Sequence, residues 1–266
     1  MIPHRRGEKT ISANHTKIRI EGATKSFLNG AVVAFENLTL DVRTEEIICI
    51  LGPSGCGKTT LLKAIDGLYS LAGGRITIDG HGVDRPRPEI AMVFQHFGLF
   101  PWKRLHQNVA YGLHVQKMTK AEIKDRVDHY IEMVGLRGFE NHFPYQLSSG
   151  MQQRAGLARA LAIHPDVLLM DEPFGALDAQ TREILQEELQ GIWQRERRTM
   201  VFITHSIDEA ILLGDRVAVM SDRPGRILEI LDIDYPRPRT HKGLRATDNF
   251  ATLRNHLWDL LRTDPN

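Results

Sequence analysis

The sequence predicts an α/β domain with a mostly parallel sheet, on three observations. Residues 47–51, 167–170 and 200–203 are continuous apolar runs, as expected of strands covered on both faces. Segments of helical character separate such runs, and strands alternating with helices wind into parallel sheets. A Gly-rich loop also follows the first run directly and opens a helix-like segment.

In chain order, residues 1–15 are polar and expected to be loose. Residues 17–21 and 38–42 alternate polar and apolar with period two, as half-buried strands do. The strand at 47–51 leads into a helix through Lys63 that stops at Gly67. Gly73-Gly74 breaks the chain before another alternating strand at 75–80, and 90–94 is a short buried strand. The stretch from 109 to 163 is mostly helical and looks like an insertion. Its clearest helix opens with Thr119-x-x-Glu122, a capping box, carries Ile123, Val127, Ile131 and Val134 on one face, and ends at Gly135. After the strands at 167–170 and 200–203, with a helix around 184–193 between them, 217–220 and 227–230 are shorter strand candidates. Pro236 and Pro238 mark a break, and Phe250, Leu253, Leu257 and Leu260 lie on one face of a final amphipathic helix.

Composition narrows the class. The 266 residues are 25% charged and 42% apolar, ordinary for a globular chain with a substantial core. Lys plus Arg number 34 against 33 Asp plus Glu, a net charge of +1, which argues against a nucleic-acid partner. Two cysteines, Cys49 and Cys56, build neither a disulfide framework nor a thiolate metal site and suit a reducing cytosol. No apolar run approaches the roughly 20 residues that cross a bilayer. The start, MIPHRRGEKT, lacks the apolar stretch of a signal peptide, so an intracellular protein is expected.

Gly52-Pro53-Ser54-Gly55-Cys56-Gly57-Lys58-Thr59 matches G-x-x-x-x-G-K-[ST] completely, between a buried strand and a helix. The glycines let successive N–H groups turn inward as a nest for phosphate oxygens, and the helix that follows presents its positive end to the same anion. Lys58 would reach the terminal phosphates and the Thr59 hydroxyl would ligate magnesium. Asp171 and Glu172 end the buried strand at 167–170, at the edge where open α/β sheets bind ligands. Two adjacent acids after a strand also suit a solvated turn. Beside a phosphate loop, Asp171 is expected on the magnesium and Glu172 on an attacking water.

Leu147-Ser148-Ser149-Gly150-Met151-Gln152-Gln153-Arg154 begins a helix about twenty residues before Asp171, and resembles the signature motif of ATP-binding cassette (ABC) ATPases. Gln95 after a strand, Ala176-Leu177-Asp178, and His205 after a strand resemble that family's other motifs, in order. The resemblance runs from about residue 17 to 230. Gly98-Leu99-Phe100-Pro101-Trp102-Lys103 (with Phe97 before it), Ser221-Asp222-Arg223-Pro224-Gly225-Arg226-Ile227 and Met151 look like the importer ATPases for nitrate, sulfonate, taurine and bicarbonate. Cassettes that act on nucleic acid or ribosomes usually carry two copies or a long coiled-coil insertion, which this chain lacks. P-loop kinases and GTPases are disfavoured by the signature segment and Gln95.

The resemblance implies a P-loop NTPase core of about 17–95 and 165–232 with a mostly parallel sheet and an antiparallel β portion. A helical subdomain of about 96–164 is inserted in it, the cassette as a whole spans 17–245, and a C-terminal amphipathic helix occupies 246–266. It implies ATP and Mg2+ as cofactors, held by residues 52–60 including Thr60. Two copies would lie head to tail, with the phosphate loop of one facing Ser148, Ser149 and Gly150 of the other. Glu172 would be the general base, His205 would contact the γ-phosphate, Gln95 would sense magnesium and the attacking water, and Asp178 would bridge the interface. Phe27 would stack on adenine. The homodimer would dock on a transmembrane permease at the cytoplasmic face of the inner membrane and serve an extracytoplasmic solute-binding protein indirectly.

Some of these residues have plainer explanations that stay open. Phe27 also suits a core position, and Ser206-x-x-Glu209 reads as a capping box for the helix after His205. Cys56 reads as a small filler whose backbone matters. Three positions depart from the family pattern: Ser149 stands where a glycine is usual, Phe27 where tyrosine is commoner, and Glu45-Glu46 where Gly-Glu is usual. Finally, the apolar loop of Phe97, Leu99, Phe100, Pro101 and Trp102 is expected to line a groove for the permease, or else to cover the helical insertion.

Overall fold

A computed structural model describes residues 15–95 and 98–262. Two long strands open it, β1 (Thr16–Phe27) and β2 (Val32–Arg43). They are followed by β3 (Ile47–Leu51), α1 (Lys58–Ile65), β4 (Gly73–Ile78), β5 (His81–Gly82) and β6 (Ile90–Val93). The middle of the chain is helical, with α2 (Leu105–Val115), α3 (Lys120–Met133) and α4 (Ser149–Ala162) packed on one another. Then come β7 (Val167–Asp171), α5 (Ala179–Glu196), β8 (Thr199–Thr204), α6 (Ile207–Leu213), β9 (Arg216–Met220), β10 (Ile227–Asp232), α7 (His241–Arg245) and α8 (Phe250–Arg262).

The strands form two sheets, one antiparallel in the order β2-β1-β4-β5 and one of six strands in the order β10-β9-β3-β8-β7-β6. The larger sheet is parallel apart from its edge strand β10. Its central strands alternate between two cores. Ile47, Cys49, Leu51, Leu168, Met170, Met200 and Phe202 face the helices, while Ile48, Ile50, Leu169, Val201 and Ile203 face α1 and the antiparallel sheet. Both faces are covered, which is why these strands read as unbroken apolar runs rather than as alternating ones. Each fully buried Leu, Ile or Phe contributes about 1.5–3 kcal/mol of hydrophobic stabilisation.

The helix signals behave as local physics predicts. The Thr119 hydroxyl accepts the Glu122 N–H at 3.3 Å while the Glu122 carboxylate accepts the Thr119 N–H at 2.9 Å, and Ile123, Val127, Ile131 and Val134 are buried. In α8, Phe250 and Leu257 are buried and Leu253 and Leu260 pack against the same core. The first two strands are longer than the sequence predicts. Their pairing passes through irregular register between Ile20 and Lys25, where Gly22 takes a φ of 56°, and such bulges break the period-two pattern. The short helix α7 gives too little periodicity to be foreseen. Residues 1–14, Phe97 and the last four residues of the helix expected over 246–266, all subjects of expectation above, lie outside the described residues.

The unusual Glu45-Glu46 pair sits just before β3. Glu45 holds a left-handed φ of 60°, which explains why glycine suits that position. The Glu46 carboxylate is buried and pairs with Arg216 at 3.1 Å, joining the start of β3 to that of β9. Burial pushes the Glu46 carboxyl up, against the pull of Arg43 and Arg216.

Candidate nucleotide site

Parallel register brings the candidate residues to one edge. Leu51 pairs with Thr204, Ile203 with Asp171, and Met170 with Val93. The phosphate loop after β3, His205 after β8, Asp171 and Glu172 at the end of β7, and Gln95 after β6 therefore emerge together at the C-terminal ends of four adjacent strands.

The loop's shape follows from its sequence. Gly57 is the N-cap of α1 in a left-handed conformation (φ 104°), and a Cβ there would lie 2.6 Å from the Ala34 carbonyl oxygen of β2. No other residue fits both demands. Ser54 and Gly55 are exposed at the loop tip, Pro53 is half-buried, and Gly52 is buried against Met220. The Cys56 side chain is buried in the core, and burial pushes its thiol up, so only its backbone is offered to an anion. Lys58 is buried at the start of α1, where its Nζ donates to the carbonyls of Gly52 at 2.8 Å and Pro53 at 2.7 Å. Thr60 is half-buried one residue beyond Thr59.

The Thr59 hydroxyl donates to Asp171 Oδ1 at 2.9 Å, so a hydroxyl and a carboxylate from different elements share one spot. Burial pushes the Asp171 carboxyl up, and the Thr59 hydrogen bond opposes it. Glu172 takes a left-handed φ of 43°, a strained conformation for a non-glycine residue and of the kind that clusters at functional sites. Its N–H is held by the Ile203 carbonyl at 3.1 Å. Its Oε2 lies 3.0 Å from His205 Nδ1 and its Oε1 4.0 Å from Lys58 Nζ. A Cβ on Gly175 would lie 3.4 Å from Gln95 Nε2 and 3.9 Å from the Glu172 Cβ, so Gln95 stands across the same turn.

Other candidates sit apart from this cluster. Ser148 caps α4 by accepting the Met151 N–H at 3.3 Å, Ser149 is exposed, and Gly150 is buried with room for no Cβ, since Thr181 Cγ2 would lie 2.9 Å away. Asp178 caps α5 by accepting the N–H of that same Thr181 at 3.0 Å. Phe27 is half-buried, edge-on to Tyr69 at 5.6 Å, with the Lys25 ammonium over its ring at 4.9 Å.

A family profile described as ABC transporter matches residues 35–175. The chain belongs to the ABC transporter family. The cassette is 45% identical over 236 residues to a taurine import ATP-binding protein of Rhizobium johnstonii, covering 87% of this chain and 90% of that one. It is 41% identical over 255 residues to a nitrate import ATP-binding protein of Synechococcus elongatus, covering 95% and 93%. A solved dimeric, post-hydrolysis ATP-binding cassette bound to ADP and Pi superposes with a TM-score of 0.72 at 30% identity, covering 82% of this chain and all of that one.

The donor set of the cassette fits magnesium: the Thr59 hydroxyl and Asp171 carboxylate are hard oxygens already 2.9 Å apart, and a magnesium site needs few protein ligands because phosphates and water supply the rest. Two features escaped the sequence. Gly225 lies against the Cys56 carbonyl, with no space for a Cβ, and joins β2 through Ala34 and Glu36, so the 221–226 turn backs the phosphate loop. The Pro224-Gly225 pair signals a turn but not what it touches. The capping box at Ser206 forms only in half: Ser206 accepts the Glu209 N–H at 3.4 Å, whereas the Glu209 side chain turns inward to Thr204 and Gln186.

Proposed function

We propose that this cassette is the ATP-hydrolysing subunit of an ABC importer. The observation that carries the reading is the Glu172 carboxylate held between His205 and Lys58, beside the Thr59–Asp171 pair. Residues 52–60 cradle the phosphates, Lys58 meets the terminal ones, and Phe27 offers its ring to adenine. Thr59 and Asp171, with Gln95 nearby, would hold magnesium, which when bound would offset charge on the phosphates. Glu172 takes a proton from the water that attacks the γ-phosphorus, the bond to the β–γ bridging oxygen breaks, and ADP and phosphate leave. His205 contacts the γ-phosphate.

Ser148, Ser149 and Gly150 lie at the N-terminus of α4, where Ser148 bonds Met151 and Gly150 packs against Thr181 of α5; in this reading they serve the site of a second copy, head to tail. Asp178 sits at that interface. A homologous cassette solved as a dimer with ADP and Pi supports a two-copy assembly. A core of about 17–95 and 165–232, an inserted helical part of about 96–164 and a C-terminal helix divide the labour. The solute is of the nitrate, sulfonate, taurine or bicarbonate kind: relatives named for taurine, nitrate and aliphatic sulfonate import support the first three, and the motif resemblance alone supports bicarbonate. Among the described residues no helix is long and apolar enough to cross a membrane. The cassette docks at the cytoplasmic face of the membrane on a separate transmembrane permease, which forms the pore and is fed by a solute-binding protein.

The permease docks at the loop after Gln95. Buried Asn108 pins that loop, accepting the Phe100 N–H at 2.8 Å and donating to the Lys103 carbonyl at 2.9 Å. Leu99 packs inward and Phe100 lies against Tyr111, while Trp102 stays 70% exposed. An exposed aromatic on a pinned loop suits a partner anchor. In membranes reconstituted with the permease, Trp102→Ala is expected to weaken assembly and abolish transport while the isolated subunit keeps its magnesium-dependent ATPase rate. Unchanged transport would place the groove elsewhere, and an isolated subunit without ATPase activity would overturn the function.

A further inference from the structure

The turn carrying His205 rests on a buried polar chain outside the reacting cluster. Thr204, the last residue of β8, is 1% exposed; its hydroxyl donates to Glu209 Oε2 and accepts the Ser206 N–H at 2.9 Å. Both neighbours of His205 are thus tied, directly or through Thr204, to one carboxylate on α6. Glu209 is itself only 6% exposed, and its Oε1 accepts from Gln186 Nε2 of α5 at 2.7 Å. The Gln186 Oε1 in turn lies 2.7 Å from His241 Nε2 of α7. Capping explains Ser206 but not this inward carboxylate. Burial pushes the Glu209 carboxyl up, opposed by the Thr204 and Gln186 hydrogen bonds, and a buried charge is retained at a cost unless it is well bonded. The C-terminal segment grips α6 a second time, where Arg254 pairs with Asp208 at 2.8 Å.

We propose that Glu209 is a positioning residue for His205, and that α7 shares in this through His241 and Gln186. The proposal rests on the reading of His205 as the γ-phosphate contact. Glu209 fixes the Thr204–Ser206 backbone, which sets the imidazole 3.0 Å from Glu172. Small misplacements of a reacting group cost large factors in rate, so a second layer of this kind shows in turnover rather than in ATP affinity.

The test is a set of mutant cycles in ATP hydrolysis by the full chain, with His205→Ala as the common background. Glu209→Ala is expected to lower kcat about tenfold with KM for ATP within about twofold, and to cost nothing further once His205 is alanine. Glu209→Gln, whose amide still bonds Thr204 and Gln186, is expected to keep most of the rate. His241→Ala is expected to lower kcat about two- to threefold, again only while His205 is present. If Glu209→Ala folds poorly, Glu209→Asp, one methylene short, runs the same cycle. Additive losses, or equal losses for Glu209→Ala and Glu209→Gln, overturn the positioning role. An unchanged kcat in His241→Ala overturns the part assigned to α7. A wild-type rate in His205→Ala brings down the reading of His205 itself, a result distinct from additivity with an impaired His205→Ala.

Discussion

On the phosphate-loop side, groups from three strand ends are locked to one another within the chain. Thr59 binds Asp171, His205 meets Glu172, and Lys58 lies between the loop carbonyls and Glu172. On the signature side, Ser148 caps its own helix, Gly150 is pressed against Thr181, and Ser149 faces solvent. One half is organised without a partner; the other presents a helix N-terminus that, in the proposed dimer, a second copy meets. Damage to the first half should therefore appear in the isolated chain, and damage to the second only when two copies meet.

The largest expected effect belongs to the first half. Glu172→Gln removes the proposed proton acceptor while keeping the shape, and should lower turnover by about 10²-fold or more, the scale of general-base catalysis. ATP binding should persist and an ATP-bound dimer accumulate, visible by sedimentation. Hydrolysis at the wild-type rate would remove Glu172 from its role.

Next is Lys58→Ala. Charge-assisted hydrogen bonds contribute about 1.5–3 kcal/mol each, so ATP affinity measured by calorimetry on the isolated chain should fall by roughly 10- to 100-fold. Intact affinity would sink the phosphate-loop reading.

Gly150→Ala probes the other half. The added methyl would meet Thr181, whose N–H Asp178 holds, and overpacking of this sort costs about 1–3 kcal/mol. At this chain length that is a Tm loss of roughly 2–4 °C per kcal/mol. ATP affinity of the isolated chain should not move, whereas dimer formation should weaken. A parallel loss of ATP affinity would mean the two halves are coupled within one copy.

The same contrast separates what was legible in the sequence from what was not. The strand at 47–51 and the loop after it were readable because an all-buried run and a complete phosphate motif are local patterns. The interactions between strand ends, such as Thr59 with Asp171, follow once the parallel order is known, yet nothing local encodes their distances. Gly150 was readable only as a close approach to nucleotide, while the structure adds a neighbour in its own chain, 31 positions away. Glu209 fitted a capping box in sequence because spacing cannot say which way a side chain turns. Residues 22–27 of β1 were missed because register shifts interrupt alternation.

The smallest and sharpest test concerns Ser149, the residue that departs from the family pattern. Ser148 and Ser149 are both exposed at the start of α4, but the Ser148 hydroxyl is committed to the cap, and Gly150 is buried against Thr181. There the N–H groups and the helix dipole favour an anion, and in the proposed dimer a side chain between them and the partner's γ-phosphate would lengthen the approach. Ser149→Gly should tighten the ATP-bound dimer by about two- to fivefold, on the order of 0.5–1 kcal/mol. The cost is backbone freedom in the first helical turn, roughly 0.5–1 kcal/mol, which appears as a small Tm loss and not in dimerisation. Sedimentation of Glu172→Gln with and without Ser149→Gly isolates the effect, because neither protein turns ATP over appreciably. A dimer of unchanged or lower affinity would mean that the serine is accommodated or that its hydroxyl donates a hydrogen bond to the phosphate. The signature half would then be shaped by this side chain, rather than by backbone alone.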